Sequence, residues 1–126
     1  MKEAQVKEEV LNKLSSLLHG GEVIWFRVLH NGLFFDRNGR RITMGQSIFP
    51  MGEIDFPTDL DIIVLINCGD GTIATLFLDV KRASVKKFSL RQEEFKKTMQ
   101  GKPKILCRII NDVSQLGSII KECKSL

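Results

Sequence analysis

The sequence predicts an α/β domain in which a small mixed β-sheet is flanked by helices. Apolar residues recur at three- and four-residue steps near both ends of the chain, as on the buried face of a helix. Between these stretches lie short runs rich in β-branched and aromatic residues, which favour strands. The chain has 126 residues, of which 43% are hydrophobic and 27% are charged, as in one ordinary globular domain. We expect a single domain over residues 1–126 with the element order α-β-β-β-α-β-α.

The first predicted element is an amphipathic helix over residues 2–18. Val6, Val10 and Leu14 repeat with helical spacing and form one apolar stripe. The sequence His-Gly-Gly that begins at His19 is typical of a helix end. The stripe predicts that this helix packs against the sheet.

A strand and a less regular segment follow. Residues 23–30 are rich in apolar and β-branched side chains and predict a strand. The Asn-Gly pair at 31–32 predicts a tight turn into residues 33–35. Residues 36–58 contain glycines, prolines and charged residues, and we expect a long loop or a short β excursion there.

The second half of the chain predicts a buried hairpin. An apolar strand over residues 61–66 is followed by the Gly-Asp-Gly turn at 69–71 and a returning strand over 73–80. Both strands are apolar on successive residues, which is typical of strands covered on both faces.

A helix, a strand and a closing helix complete the predicted fold. The helix spans residues 90–99 with Ser89 as its N-cap, and the strand spans residues 105–110. Asp112 is expected to cap the last helix. The apolar face of that helix is expected to comprise Val113, Leu116, Ile119, Ile120 and Cys123.

Several classes of protein are excluded by these patterns. No apolar run is long enough to cross a bilayer, and the opening MKEAQVKEEV alternates charges where a secretory signal would have an apolar core. The cysteines at 68, 107 and 123 form no CxxC pair, so we expect reduced thiols in a cytoplasmic protein without structural zinc. The glycines form neither GxxxxGK(S/T) nor GxGxxG, so we expect no nucleotide cofactor.

The basic residues are concentrated in one segment. Residues 81–108 hold ten lysines and arginines against two acids, a net +8, whereas the rest of the chain holds nine basic and thirteen acidic residues, a net −4. A basic face attracts polyanions, of which nucleic acid is the commonest. A solvated lysine-rich surface is the ordinary alternative, so the charge gains meaning only beside a chemical site.

Two aspartates and a lysine lie at the open end of the predicted hairpin, opposite its turn. Asp61 leads into the first strand, Asp79 is near the end of the second, and Lys81 follows on the same face. Antiparallel pairing brings the start of one strand beside the end of the next. Two carboxylates, with the backbone carbonyl of Val80, are hard oxygen ligands suited to Mg²⁺ or Mn²⁺. A neighbouring lysine suits metal-assisted phosphodiester hydrolysis.

Each of these residues alone has an ordinary structural explanation. Asp79 and Lys81 form a same-face ion pair in one interpretation, and Asp61 is a turn acid. Glu3 is a further candidate, because by helical angle it falls within the apolar stripe of the first helix. Two explanations stay open for Glu3: an inward carboxylate that needs a cation, or a first-turn acid that suits the helix dipole.

Taken together, these motifs resemble a known nuclease family. The acid before IIVLI, the glycine turn, LFLDVKR and then FSLRQEEF are similar to the virus-type replication-repair nuclease (VRR-NUC) domain of the PD-(D/E)xK superfamily. In that family an acid begins the second core strand, an (E/D)xK motif ends the third, and a serine and a glutamine open the next helix. The resemblance covers most of the chain and implies a restriction-endonuclease-like core.

The resemblance implies a role for each matching residue. Asp61 matches the first acid, Asp79 and Lys81 match (E/D)xK, Gln92 matches the helix glutamine and Glu3 the first-helix acid. The implied metal ligands are Asp61, Asp79, Glu3 and the carbonyl of Val80. For Gln92 a second explanation is open, because Ser-x-x-Gln from Ser89 is also a capping box.

The chain departs from the family pattern at two positions. Leu60 stands where the family usually has proline, which leaves Asp59 as an alternative first acid. We favour Asp61 because the apolar strand begins directly after it. The second departure is aspartate instead of glutamate at position 79, which shortens the reach to a metal.

The implied activity is that of a Mg²⁺- or Mn²⁺-dependent DNA endonuclease that cuts branched DNA such as Holliday junctions. Stand-alone domains of this kind resemble phage proteins acting in a bacterial host as homodimers, and the apolar residues 48–51 are a candidate interface. The residues expected to contact the DNA backbone are Arg82, Lys86, Lys87, Arg91, Arg40 and Arg41. Two alternatives are a nuclease for flaps, single strands or duplex ends, and a non-catalytic basic DNA-binding module.

Overall fold

A computed structural model describes residues 2–28, 33–35, 41–43, 61–82, 84–85, 87–88, 90–99 and 101–126. Within these ranges, three helices and six strands follow in the order α1 (Glu3–His19), β1 (Val23–Val28), β2 (Leu33–Phe35), β3 (Arg41–Thr43), β4 (Ile62–Asn67), β5 (Ile73–Val80), α2 (Leu90–Met99), β6 (Ile105–Ile110) and α3 (Leu116–Lys124). A 3₁₀ turn over Val113–Gln115 leads into α3. The protein is therefore α/β, as the sequence predicts.

Four of the strands form one mixed sheet in the order β1-β4-β5-β6. β1, β4 and β5 are successively antiparallel, whereas β6 is parallel to β5. A parallel neighbour requires a crossover, which α2 provides. β2 and β3 form a separate two-stranded sheet, so the segment predicted as a loop or β excursion includes a short strand.

The turn between β4 and β5 sets the register of the hairpin. Gly69 and Gly71 have φ angles of 83° and 86°, which favour glycine. Asp70 accepts a hydrogen bond from Thr72 N at 3.0 Å. In the resulting register Ile62 pairs with Leu78 and Ile63 with Phe77. This pairing places the start of β4 beside the end of β5.

The two faces of the sheet are covered by different helices. On one face, α1 and α3 pack against alternate residues of β4 and β5, and fully buried members of this core include Val6, Leu14, Val64 and Leu76. On the other face, α2 covers a smaller cluster around Phe77 and Cys107. Side chains alternate along a strand, so the residues of β5 after Phe77 are divided between these two environments.

Most of the predicted elements are confirmed. The bounds of β5, α2 and β6 are those predicted, and α1 begins and ends one residue later than predicted. Asp112 caps the 3₁₀ turn through a 2.9 Å hydrogen bond from Ser114 N, and Leu116, Ile119, Ile120 and Cys123 are buried as expected. The predicted turn at 31–32 and the cap at Ser89 lie outside the described residues. No helix in the described ranges is long and apolar enough to cross a membrane.

Candidate active site

The structure brings Asp61 and Asp79 together at the open end of the β4–β5 hairpin, opposite its glycine turn. Asp61 directly precedes β4, and its backbone N–H donates to the carbonyl of Leu78 at 3.1 Å. Its carboxylate oxygen Oδ2 accepts a 2.7 Å hydrogen bond from the backbone N–H of Val80. Asp61 is thereby fixed to the end of β5 by both its main chain and its side chain.

Asp79 is the buried centre of the site. The residue is only 2% exposed, and Lys81 Nζ lies 3.0 Å from its Oδ2 as an ion pair. Among the described residues no donor, Lys81 included, meets hydrogen-bond geometry at Oδ2. The ion pair with Lys81 compensates only part of the cost of burying this carboxylate, and Asp61 brings a second carboxylate to the same place.

The protonation of Asp79 reflects this environment. Burial raises the pKa of Asp79, the hydrogen bond to the Asp61 carboxyl raises it further, and Lys81 lowers it, which leaves it at about 7. Two neighbouring carboxylates disfavour each other's ionisation. A divalent cation bound between them would remove that cost, so the residue set fits such an ion.

Sequence reasoning missed one charged residue of the site. Lys7, on α1, places its Nζ 3.7 Å from Asp61 Oδ1, and its side chain is 30% exposed. Lys7 is adjacent in sequence to the buried Val6 and lies one helical turn after Glu3. A signal was therefore present, because position 7 borders the apolar stripe that was predicted to face the sheet.

Gln92 lies on the sheet-facing side of α2. It is 1% exposed, and Phe95, one turn later, makes an edge-to-face contact with Phe77 at a centroid distance of 5.0 Å. As the crossover between parallel strands, α2 runs back against β5. Its earlier residues therefore lie towards the end of β5, where Asp79 follows Phe77 by two positions. The predicted inward position of Gln92 is confirmed, and Gln92 is carried towards the end of the sheet that holds the aspartates.

The structure does not show Glu3, a predicted site residue, in contact with the two aspartates. It is the first residue of α1 and is exposed, because the buried stripe begins a turn later at Val6. Within the described ranges, no three acidic, cysteine or histidine side chains come close enough together to hold a metal. Val80 has its side chain fully buried in the core, so only its backbone faces the carboxylates.

The predicted DNA-contacting residues are only partly described. Arg82 directly follows Lys81 and is exposed, and Lys87 is also exposed. The backbones of Arg41 and Arg91 lie in β3 and α2. Four predictions lie outside the described residues: Lys86, Arg40, the alternative acid Asp59 and the candidate interface at 48–51.

Comparisons with known proteins identify no relative of this chain. No protein-family model matches the chain, and neither a curated protein nor a solved structure is significantly similar to it. The likeness to the PD-(D/E)xK nucleases therefore stays a prediction from the motif residues, and what the molecule can do must be inferred from the site itself.

Proposed function

We propose that this protein is a metal-dependent DNA endonuclease of the PD-(D/E)xK type. The observation that carries the proposal is the buried Asp79 Oδ2, which has no hydrogen-bond donor among the described residues and lies beside Asp61 with Lys81 Nζ at 3.0 Å. Two carboxylates can hold a divalent cation and a lysine can act on a water or a phosphate, so this set suits metal-assisted hydrolysis of a phosphodiester.

Asp61 and Asp79 would hold the cation, and the carbonyl of Val80 is a candidate third ligand. Mg²⁺ or Mn²⁺ in this place would polarise a phosphoryl oxygen and lower the pKa of a bound water. Lys81 is in position to orient the attacking water or to take its proton, and its charge offsets the negative charge that develops on the phosphate. The Val80 N–H keeps Asp61 turned towards this point.

The order of the elements supports the proposal. Taken without the small β2–β3 sheet, the chain follows the order α1-β1-β4-β5-α2-β6, which agrees with the α-β-β-β-α-β core of the superfamily. Asp61 directly precedes the second strand of the four-stranded sheet, and the Asp79–Lys81 motif closes the third. Gln92 is buried in the next helix, which suits the helix glutamine that the resemblance implies.

The charge near the site supports DNA as the substrate. The exposed Arg82 and Lys87 lie between β5 and α2, within the segment of net charge +8. Such residues bind the phosphate backbone and do not read bases. We further propose branched DNA, including four-way junctions, and a homodimer, since two sites related by a two-fold axis would cut two strands symmetrically.

The proposal is tested by cleavage of a labelled four-way junction beside its matched linear duplex. Each substrate is incubated with Mg²⁺, with Mn²⁺ and with EDTA, using the wild type, Lys81→Ala and the control Lys102→Ala. Lys102 is an exposed lysine of the same basic segment, so its variant loses the same charge outside the site. We expect symmetric, metal-dependent nicks in the junction, lost in Lys81→Ala and kept in Lys102→Ala.

Other outcomes are equally informative. Equal cutting of junction and duplex would retain the nuclease and remove the branch preference. Junction binding without cutting under either metal would refute the enzyme and leave a non-catalytic DNA-binding module. If Lys81→Ala and Lys102→Ala cut at the same rate, Lys81 has no special role in the site.

A further inference from the structure

We infer that Lys7 is a second lysine of the active site, which binds the scissile phosphate. The inference rests on the proposed function and deepens it. Lys7 comes from α1, whereas Asp61, Asp79 and Lys81 lie in or directly beside β4 and β5. Its Nζ lies 3.7 Å from Asp61 Oδ1, so Asp61 has a lysine of its own just as Asp79 has Lys81.

Lys7 is not needed to hold Asp61 in place. The Asp61 carboxylate is already oriented by the 2.7 Å hydrogen bond from the Val80 N–H, and the Asp61 backbone is bonded to Leu78. A 3.7 Å ion pair with a lysine side chain that is 30% exposed adds little to stability. The position of Lys7 therefore needs an explanation other than the stability of the fold.

The charges of the site supply that explanation. With both aspartates ionised, as a bound cation would require, their two negative charges are matched by the two lysines beside them. Any cation that the carboxylates take competes with Lys7 for Asp61, because both are attracted to the same oxygen atoms. The released ammonium group keeps three N–H donors and a full positive charge beside the site, and a phosphate oxygen is the anion that the substrate brings there.

The exposure of the two lysines fits a division of roles. Lys81 is 22% exposed and pairs with the buried Asp79, whereas Lys7 is 30% exposed and pairs with Asp61 at a longer distance. The ammonium that is held more loosely and is more open to solvent is better suited to contact an incoming polyanion.

The first test measures metal binding without DNA. Mn²⁺ is titrated calorimetrically into the wild type, Lys7→Ala and the control Lys13→Ala. Lys13 is exposed on the same helix, about 120° around the axis from Lys7 at 100° per residue. Loss of the competing ammonium predicts Mn²⁺ binding several-fold tighter in Lys7→Ala, whereas Lys13→Ala binds like the wild type. Equal Mn²⁺ affinity in all three proteins would overturn the inference.

The second test measures DNA binding without cleavage. Junction affinity is determined in Ca²⁺ over a series of salt concentrations. Loss of one phosphate contact predicts about tenfold weaker binding in Lys7→Ala and a salt slope lower by about one. Lys7→Arg should restore most of the affinity, which a purely structural role would not require. A salt slope in Lys7→Ala equal to that of Lys13→Ala would overturn the inference.

The third test separates failure of this inference from failure of the nuclease proposal. Single-turnover cleavage is measured at saturating Mn²⁺, where we expect Lys7→Ala to be slower than Lys13→Ala by at least tenfold. If the wild type cuts and Lys7→Ala cuts as fast, only the role of Lys7 is refuted. If the wild type binds DNA but does not cut it, the nuclease proposal is refuted, and the Ca²⁺ binding data alone decide whether Lys7 contacts phosphate.

Discussion

Replacing Asp79 with asparagine tests whether the carboxylate pair destabilises the metal-free protein. The residue is 2% exposed, and its environment raises its pKa from 3.8 to about 7. The folded state therefore holds this proton more tightly than the unfolded state does. Stability from the protonated carboxyl is present in full below about pH 4 and is lost as the pH rises towards 7.

The size of the effect follows from the same pKa difference. Each tenfold change in proton affinity corresponds to about 1.4 kcal/mol, so charging Asp79 in the fold costs at most about 4 kcal/mol. Asparagine carries no charge but leaves Lys81 without its anionic partner. We expect Asp79→Asn to raise the free energy of unfolding at pH 8 by about 1–3 kcal/mol, and by much less at pH 4.

The assay is urea unfolding of wild type and Asp79→Asn at several pH values, in EDTA and in Mn²⁺. Asp112→Asn is the matched control. The Asp112 carboxylate is exposed, and hydrogen bonds from Ser114 lower its pKa. Its contribution to stability is therefore present at neutral pH and is lost as the pH falls through the lowered pKa, which is the opposite pH dependence to that of Asp79. In EDTA the advantage of Asp79→Asn should grow between pH 4 and pH 7. In Mn²⁺ the order should reverse, because only the wild type retains both carboxylates for the ion.

Three results would refute this reasoning. A variant less stable than the wild type at pH 8 in EDTA would mean that the pair with Lys81 outweighs the cost of burying the charge. A stability difference independent of pH would mean that Asp79 does not titrate near neutral pH. Equal stabilisation of both proteins by Mn²⁺ would mean that Asp79 is not a metal ligand.

Three further predictions concern the fold. Leu14→Ala removes a fully buried side chain and should lower the free energy of unfolding by about 2–5 kcal/mol in urea melts. Leu18→Ala on the same helix should change it little, because Leu18 is exposed. Equal losses in the two variants would contradict the packing of α1. Gly117→Ala in α3, where an added Cβ meets no atom within 4 Å, should raise the melting temperature and the free energy of unfolding, the latter by about 0.5–1 kcal/mol. Gly71→Ala should lower the melting temperature, because φ at this residue is 86°. A change of the opposite sign in either variant would refute the prediction for that residue. Burial raises the pKa of Cys123 to about 12, so this thiol should react with iodoacetamide at pH 8 only after the protein unfolds. Mass spectrometry of the folded and the unfolded protein measures the modification.

The elements were predictable because each is encoded by neighbouring residues. The helical stripe of Val6, Val10 and Leu14 and the apolar runs of β4, β5 and β6 mark elements through local periodicity alone. The glycine turn fixes the β4–β5 register within the hairpin, so the proximity of Asp61 and Asp79 follows from the sequence. A tight turn leaves few alternative pairings, which explains why this part of the site was correctly predicted.

Contacts between distant segments were decided only by the tertiary structure. The sequence does not state which face of the sheet each helix covers, and α1 and α2 lie on opposite faces. It also does not state how far along the sheet a helix begins. Glu3 and Lys7 lie one turn apart on α1, yet the structure leaves Glu3 exposed and brings Lys7 to Asp61. Helical angle gives the side of a helix, whereas the position along its axis depends on packing against residues far away in the chain.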